Sequence, residues 1–535
     1  MGNTVAELMA KNISNAQTNA KNWKDIIYNV KDYGAKGDGE TDDTADINRA
    51  ILDCHENGGG TLVFPPGDYV ITPTVLSPTR QAIQLLSGVS LIGFGTRLVL
   101  RGNSCFIGSK IPKTGVTTLI TGNVAYGDTS LTVNSTSSFE VGNEISFTCG
   151  DNAWDPEETS YQDFAVITAI PNSTTLNLDR PINTTMTVAD TEEENREVSQ
   201  VRNIVENIVI SGFDLYTDEA NGGIARTGID LRYVRNCYIE NITGENVGAG
   251  IVALAFAHNV NGNLIEVRKS IRQTGQSWEG RAFNFWNCRN CKFENILVKY
   301  FEGIAGFFES YNRDISFKNI RLVNNHPTRN NSSTAFFSVY QASSVFFENL
   351  TLEGNGGANI MDQGGTVGNN YQIRNLTVYL KTWFAGSLVI SRISGIFRLT
   401  NPDTLETRYF NMDRVVEREV VINLVDNMNN YYDMPKGLWV RHGFQFSSNV
   451  VSGDVETLRV SRETQNGNDV KDVPYTEIGV EGFRYPQMGS TYNTGENKYD
   501  EKTRVYINTI NSGIGTGKTL TVRIAYVPPQ IGVVS

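Results

Sequence analysis

The chain has 535 residues, with 58 acidic against 46 basic side chains and a formal net charge of −12. That balance leaves no basic stripe to meet phosphates, so nucleic acid is not an expected partner, although local arginines still allow an anionic glycan. No window approaches 18 apolar residues, so membrane insertion is not expected. The length exceeds what one compact core usually serves.

The first segment, residues 1–27, has helical spacing. Ala6, Met9, Ile13, Ala16, Ala20, Trp23 and Ile27 follow intervals of 3, 4, 3, 4, 3 and 4, a heptad seam. It fits either a short multi-strand coiled coil or a helix packed on the body. The amino end, Met1-Gly2-Asn3-Thr4, has neither a basic n-region nor an apolar h-region, so no secretory signal peptide is expected.

Residues 28–115 begin with Tyr28-Asn29-Val30-Lys31-Asp32-Tyr33-Gly34-Ala35-Lys36-Gly37-Asp38-Gly39, then Thr41-Asp42-Asp43-Thr44 and a helix with Ile47, Ala50, Ile51 and Cys54 on one face. Gly58-Gly59-Gly60 ends it, and Thr61-Leu62-Val63-Phe64 opens the strands. Asp42 and Asp43 favour the helix amino end, and the glycines allow the turn back. The expected role is a lid, because an uncapped solenoid exposes its core and strand edges.

Residues 116–187 interrupt this pattern with short strand-like runs such as Leu131-Thr132-Val133 and Ala165-Val166-Ile167, which predict a small inserted β-domain. Its acidic loop, Asp151, Asp155, Glu157 and Glu158, reads as a solvated tip, with Ca²⁺ ligation the alternative.

Over 188–404 an asparagine recurs in one local frame. Asn207, Asn241, Asn263, Asn295, Asn319, Asn349 and Asn375 each precede Ile or Leu, at intervals of 34, 22, 32, 24, 30 and 26 residues. Gly228, Gly250, Ala282 and Gly306 each stand 13 residues before a ladder asparagine and open an apolar run. A period that varies while the frame persists predicts solenoid coils with insertions at the corners. Units this short, rich in Val, Ile, Phe and Thr, predict strands, hence a parallel β-helix stacked at about 4.8 Å per coil. Cys237 and Cys291 share one inward frame position two coils apart, too far to bridge, so the six cysteines are expected to be buried thiols. The four histidines are scattered and none has zinc-site spacing, so no metal or other cofactor is expected.

After about residue 400 the frame is lost. Runs such as Val420-Val421-Ile422, Leu458-Arg459-Val460 and Val505-Tyr506-Ile507 predict a β-sandwich over 405–535, for trimerisation, glycan binding or both. Tyr431, Tyr432, Trp439 and Tyr485 fit core or subunit contacts, or sugar stacking.

The 28–70 stretch followed by Gly-rich strands resembles the amino-terminal region of the pectate-lyase-like β-helix superfamily, particularly bacteriophage tailspike and tail-fibre depolymerases. The resemblance implies an all-β, right-handed parallel β-helix with an amino-terminal helical segment and cap. It implies a homotrimer in the virion tail, made in the host cytoplasm, with phage tail or baseplate proteins at the amino end and a bacterial surface polysaccharide as ligand. The patterns of polygalacturonases (Asn-x-Asp, Asp-Asp, Gly-His-Gly, Arg-x-Lys) do not occur here as an ordered set, and His258 lacks flanking glycines. No dense aspartate cluster of the pectate-lyase kind appears on the coils, which puts galacturonan in doubt.

Glycoside hydrolysis needs two carboxyl groups about 5 to 9.5 Å apart. The candidates are Glu279 and Glu309 as a pair, with Asp230 and Asp362 in reserve. Strict frame counting puts Glu309 inward with Phe307, and a one-residue bulge would turn it outward. Asp230 should point outward, with Val252, Asn284 and Phe308 as frame equivalents. Trp278 and Trp286 are candidate sugar platforms, with a trimer interface the alternative; Trp286 takes the outward frame position of Leu254 and of Arg232, a third candidate binding residue. The alternatives to a hydrolase are a polysaccharide lyase, a non-catalytic receptor-binding adhesin and a secreted bacterial enzyme.

Overall fold

The computed structural model describes residues 27–535 except 74–80, 110–112, 150–160, 183, 192, 203, 222–223, 226, 249, 271–279, 310–311, 325–334, 340–343, 355–358, 363–369, 381–392, 401–406, 415, 424–429, 434–437, 449–456, 463–470, 475–503, 511–518, 528 and 531–535. The heptad segment and the acidic loop at 151–158 lie outside the described residues. Two compact units divide the chain, the first running essentially to Phe347 and the second holding most of the remainder.

The first unit is a parallel β-helix. Ile27–Asn29 pairs in parallel with Gly60–Phe64, which pairs with Val89–Leu100. Val89–Leu100 pairs with Val209–Thr217, then come Ile229–Val247 and Val252–Ser270. Helix α1, Thr44–Glu56, buries Ile47, Ala50, Ile51 and Cys54. Asn48 ties it to the next strand, its Nδ2 donating to the Ala82 carbonyl at 2.8 Å and its Oδ1 accepting from Gln84 N at 2.9 Å. The two aspartates before the helix divide the work. Asp42 accepts from Thr44 N at 3.0 Å, as a first-turn cap does. Asp43, fully buried, instead accepts from Lys36 N at 2.5 Å and Gly37 N at 3.0 Å, and its burial raises its pKa.

Inside the helix, equivalent side chains stack coil upon coil. Phe285, Phe293, Phe308 and Phe317 are fully buried or nearly so, with Phe293 and Phe317 stacked at 5.6 Å and Phe337 against Phe347 at 4.3 Å. All six cysteines are buried and none is in a disulfide.

The corner asparagines adopt left-handed backbone, and the register corrects the expected ladder at two places. Asn207 does not align with Asn241. Glu206 pairs with Arg235 and Ser211 with Glu240, so Asn207 belongs with Asn236, and Gly212 (φ 81°) takes the Asn241 position. Asn263 pairs with Glu240 and Glu294, so the left-handed residue of that coil is Leu264 (φ 54°). Two corners share the local text of an Asn before an aliphatic residue, and the interval alone did not separate them. A second ladder follows from this. Asn259 donates to Asn236 at 3.1 Å and Asn290 to Asn259 at 2.6 Å, all three left-handed. The first ladder continues with Asn295 donating to Asn263 at 2.8 Å and Asn319 to Asn295 at 3.0 Å. Such amide chains satisfy polar groups that a tight corner strips from the backbone ladder.

Between these coils a six-stranded antiparallel sheet runs in the order Lys113–Leu119, Glu197–Val201, Glu144–Cys149, Tyr161–Asn172, Thr175–Leu178, Ser130–Thr132. It extends past the expected 116–187 because Glu197–Val201 returns to pair both neighbours, its polar Ser199 and Gln200 masking the strand pattern. Its core joins Leu131, Ile145, Phe147, Ile167, Leu176 and Val198. It docks on the β-helix through Phe164, which packs with Val201, Ile204, Tyr233 and Phe256.

In the second unit Asn370–Leu380 pairs in parallel with Ile393–Thr400, which turns antiparallel to Thr407–Asn411. There Asn375 donates to Asn349 at 2.9 Å, and Ile396 N donates to Asn375 Oδ1 at 3.0 Å. Beyond lie two antiparallel sheets, ordered Val416–Asn423, Thr519–Val527, Leu438–Ser448 and Asn430–Asp433, Arg504–Ile510, Thr457–Arg462, Lys471–Pro474. Tyr431, Tyr432 and Trp439 stand on these strands, and Tyr485 lies outside the described residues.

Candidate functional site

One outward face collects several of the candidate residues. Along its first row Asp230 pairs with Ala253, Ala253 with Asn284, and Asn284 with Phe307. Along the second, Arg232 pairs with Ala255, Ala255 with Trp286, and Trp286 with Glu309. The inward rows between them carry Leu231, Leu254, Phe285 and Phe308, all fully buried. This register corrects the expected frame. The equivalents of Asp230 are Ala253, Asn284 and Phe307, and the core residue of the fourth coil is Phe308. Glu309 therefore takes the register position of Trp286 and not the inward place of strict counting. The glycines at 250 and 306 misled the frame, since Ile229 pairs with Val252, Val252 with Phe283 and Phe283 with Gly306, which aligns Gly228 and Ala282 with Ile251 and Ala305, the residues after and before those glycines.

Asp230 and Arg232 form a paired contact, Nε to Oδ1 at 3.2 Å and Nη2 to Oδ2 at 3.4 Å. Arg232 is half-exposed and the carboxylate raises its pKa further, so it is a permanent cation. The Ser109 hydroxyl pins its backbone, accepting from Arg232 N at 2.7 Å and donating to its carbonyl at 2.9 Å. On the third coil Asn284 is buried and accepts from Arg281 Nη1 at 3.4 Å, while the Arg281 guanidinium lies 3.8 Å from the Phe307 ring centroid. Ala253 and Ala255 leave a coil without bulk between Arg232 and Trp286, whose coils are about 9.6 Å apart at two stacking steps. Glu279 and Trp278 lie outside the described residues; the following residue, Gly280, accepts from Gly303 N at 3.0 Å. Asp362 ends the strand Asn359–Asp362 in the second unit.

Around the corner from this face runs a row that composition hid. Arg235, His258, Arg289 and Arg313 follow one another on successive coils. They meet the inserted sheet in a buried clasp. His258 Nε2 lies 2.8 Å from Asp163 Oδ1, Arg289 Nη2 is 2.8 Å from Asp163 Oδ2, and Arg180 Nη1 is 2.6 Å from His258 Nδ1. Arg180 also covers the Phe164 ring at 4.5 Å. Burial lowers the His258 pKa against the pull of Asp163, so the ring is neutral, with Nε2 donating to the carboxylate and Nδ1 accepting from Arg180. The corner where this row begins carries Tyr233 and Phe256 in left-handed backbone at φ 53° and 54°, an arrangement costly for bulky residues and held by their packing on Phe164. A basic residue three positions after Arg232, Ala255 and Trp286, and four after Glu309, was the available signal. Among the described residues no cluster of His, Cys, Asp and Glu has metal-site geometry.

Residues 27–255, which hold the cap and the first coils, match the family model described as rhamnogalacturonase A/epimerase, pectate lyase-like. Among curated proteins, alginate lyase 7 of Azotobacter vinelandii is 46% identical over 68 residues, 13% of this chain and 8% of that protein. The chain thus matches under a tenth of that relative's length. Among solved structures, the tailspike gp61 of Pseudomonas phage phi297 aligns over 94% of this chain and 99% of its own, at 12% identity and a TM-score of 0.35. The tailspike gp54 of Acinetobacter baumannii bacteriophage AP22, solved with a capsular saccharide, aligns over 94% and 97%, at 10% identity and a TM-score of 0.34.

Proposed function

We propose that this protein binds a bacterial surface polysaccharide along the face carrying Asp230, Arg232, Asn284, Trp286 and Glu309 and cleaves it by glycoside hydrolysis. The observation that carries the reading is the register of that face. An arginine held by a carboxylate, a coil of alanines, an indole and a glutamate follow one another in line. A pyranose ring fits the gap of two coil steps, stacking its apolar face on Trp286 while Arg232 donates to its oxygens.

Hydrolysis asks one carboxylic acid to protonate the glycosidic oxygen while a second carboxylate activates water or attacks the anomeric carbon. Asp230 is a poor partner for Glu309, since three coil steps separate them by about 14 Å of backbone and Arg232 holds the Asp230 carboxylate. We assign Asp230 and Arg232 to positioning the sugar, and Glu279 with Glu309 to the acid and base. The resemblance of the 28–70 cap to phage tailspikes supports a homotrimeric virion protein, attached by its amino end to tail or baseplate proteins. The division into an amino-terminal segment at 1–27, a cap with first coils from 28, an inserted β-domain that includes Lys113–Leu119 and Glu197–Val201, a β-helix body to about 404 and a carboxy-terminal domain at 405–535 belongs to the same proposal.

The test is incubation with capsular and wall polysaccharides of candidate hosts, following chain length and reducing ends, with Glu279→Gln and Glu309→Gln in parallel. Shortening by the wild type and loss in either variant supports the assignment. New absorbance from an unsaturated uronate would make the enzyme a lyase, and binding without shortening would make the protein an adhesin.

A further inference from the structure

We infer that Phe164 of the inserted sheet is a positioning residue for Arg232, acting through the left-handed corner at Tyr233, so that docking of the inserted sheet sets how well the face binds its polysaccharide. The inference rests on the polysaccharide reading of that face and deepens it. The corner row Tyr233, Phe256 and Asn287 directly follows Arg232, Ala255 and Trp286, and all three are left-handed, at φ 53°, 54° and 48°. Asparagine takes that backbone at small cost, whereas a bulky aromatic does not. The two aromatic corners are the two that pack on Phe164, which is fully buried. Its ring lies 6.1 Å from Tyr233 and 4.7 Å from His258, the Tyr233 and Phe256 rings are 4.6 Å apart, and the Arg180 guanidinium also packs on Phe164 at 4.5 Å. Strain of this kind persists only where surrounding contacts over-determine it. Here those contacts come from the inserted sheet.

The strain reaches Arg232 through one peptide unit. The Arg232 carbonyl belongs to the planar peptide that the φ of Tyr233 turns. That carbonyl accepts from the Ser109 hydroxyl at 2.9 Å, and the Arg232 N–H donates to the same hydroxyl oxygen at 2.7 Å. Ser109 ends the strand Asn103–Ser109, from which the chain passes to Lys113–Leu119 at the edge of the inserted sheet. The returning strand Glu197–Val201 brings Val201, and Ile204 after it, against Phe164. Entry and exit of the insertion therefore grip one corner, Ser109 at the Arg232 backbone and Phe164 at the Tyr233 ring. The clasp of Asp163 with His258 and Arg289 holds the coils beyond that corner. A Tyr233 released from Phe164 would return to negative φ, turning the Arg232 carbonyl off Ser109 and carrying the guanidinium out of line with Ala255 and Trp286.

The test is hydrogen exchange read by mass spectrometry on the full chain without ligand, comparing the wild type, Phe164→Ala, Tyr233→Asn and the two substitutions together. Phe164→Ala should lower protection of the peptide 229–234 about tenfold, while the strand Ile315–Asn324 keeps its protection and shows that the coils remain folded. In the Tyr233→Asn background the same substitution should change that peptide less than about twofold, because asparagine holds the left-handed corner by itself. Should Phe164→Ala not fold, Phe164→Leu, with and without Tyr233→Asn, carries the comparison. Unchanged protection on loss of the Phe164 ring, or an equal loss in both backgrounds, overturns the inference. A second arm uses capsular polysaccharide purified from a candidate host that the wild type shortens. Phe164→Ala should raise KM about tenfold and leave kcat within about twofold, since Arg232 holds the sugar and the carboxylates do the chemistry; an unchanged KM despite lost protection overturns the link to binding. Failure of the wild type to bind or shorten any capsule removes the polysaccharide reading, and the ligand-free exchange still decides whether Phe164 positions Arg232.

Discussion

Replacing Leu264 by Asn should stabilise the protein, against the usual direction for a coil residue. Leu264 stands at φ 54° in a position that Gly212, Asn241, Asn295 and Asn319 fill on other coils. Left-handed backbone costs an ordinary residue about 1 to 2 kcal/mol, and asparagine much less. The side chain is 55% exposed, so its loss forfeits only part of a leucine's burial, about 0.5 kcal/mol. The net gain is about 1 kcal/mol, a rise in thermal midpoint of roughly 2 °C. Asn295→Leu is the mirror experiment. It adds the same backbone cost and removes amide bonds to Asn263 and Asn319 at 2.8 and 3.0 Å, a loss of about 3 kcal/mol. Differential scanning calorimetry of both variants tests the pair. Equal destabilisation by both would show that Leu264 is chosen for packing, and the register argument for it would fail.

Gly212→Ala should abolish folding, since a Cβ there would lie 2.1 Å from the Gly93 carbonyl oxygen at a φ of +81°, a penalty of about 4 kcal/mol or more; soluble, folded protein from that variant would contradict it. Phe285→Ala should cost about 3 to 5 kcal/mol in a denaturant titration, because the ring is fully buried against Phe293 at 5.1 Å and Phe308 at 5.6 Å. The His258 clasp should make docking of the inserted sheet acid-sensitive. Burial holds the folded pKa below the ordinary 6.5, so the unfolded form binds more protons; the stabilisation is complete above pH 6.5 and is lost as pH falls from there toward the folded value. Amide protection factors in Tyr161–Asn172, corrected for the intrinsic rate at each pH, should fall between about pH 7.5 and 5.5 in the wild type and change less in His258→Gln.

Much of the architecture is legible because stacking forces repetition. Cys237 and Cys291 do flank Val260 in one inward row, and the asparagine frame announces the coils. What failed is register, and for a physical reason. A corner is defined by backbone φ, which Asn, Gly and even Leu264 satisfy, so residue identity alone confused Asn207 with the ladder of Asn241. The second ladder escaped because its members other than Asn207 precede Cys or Val, as in Asn236-Cys237 and Asn259-Val260. A single slipped residue exchanges the two faces of a strand, which is why Glu309 was counted with the core although its register neighbour is Trp286. The clasp of Asp163, His258 and Arg180 joins residues up to 95 positions apart, and no local pattern marks it. Asp230, Arg232 and Trp286 were legible as outward residues because alternation on a strand needs no long-range knowledge.

The most direct test of the polysaccharide face is light scattering of purified host capsule incubated with the wild type and with Trp286→Ala. The account predicts a falling polymer mass with the wild type and, with the variant, a rate at least about tenfold lower at equal fold stability. Equal rates would mean that the chain is cut elsewhere on the molecule, and the face of Asp230, Arg232 and Trp286 would not be the site.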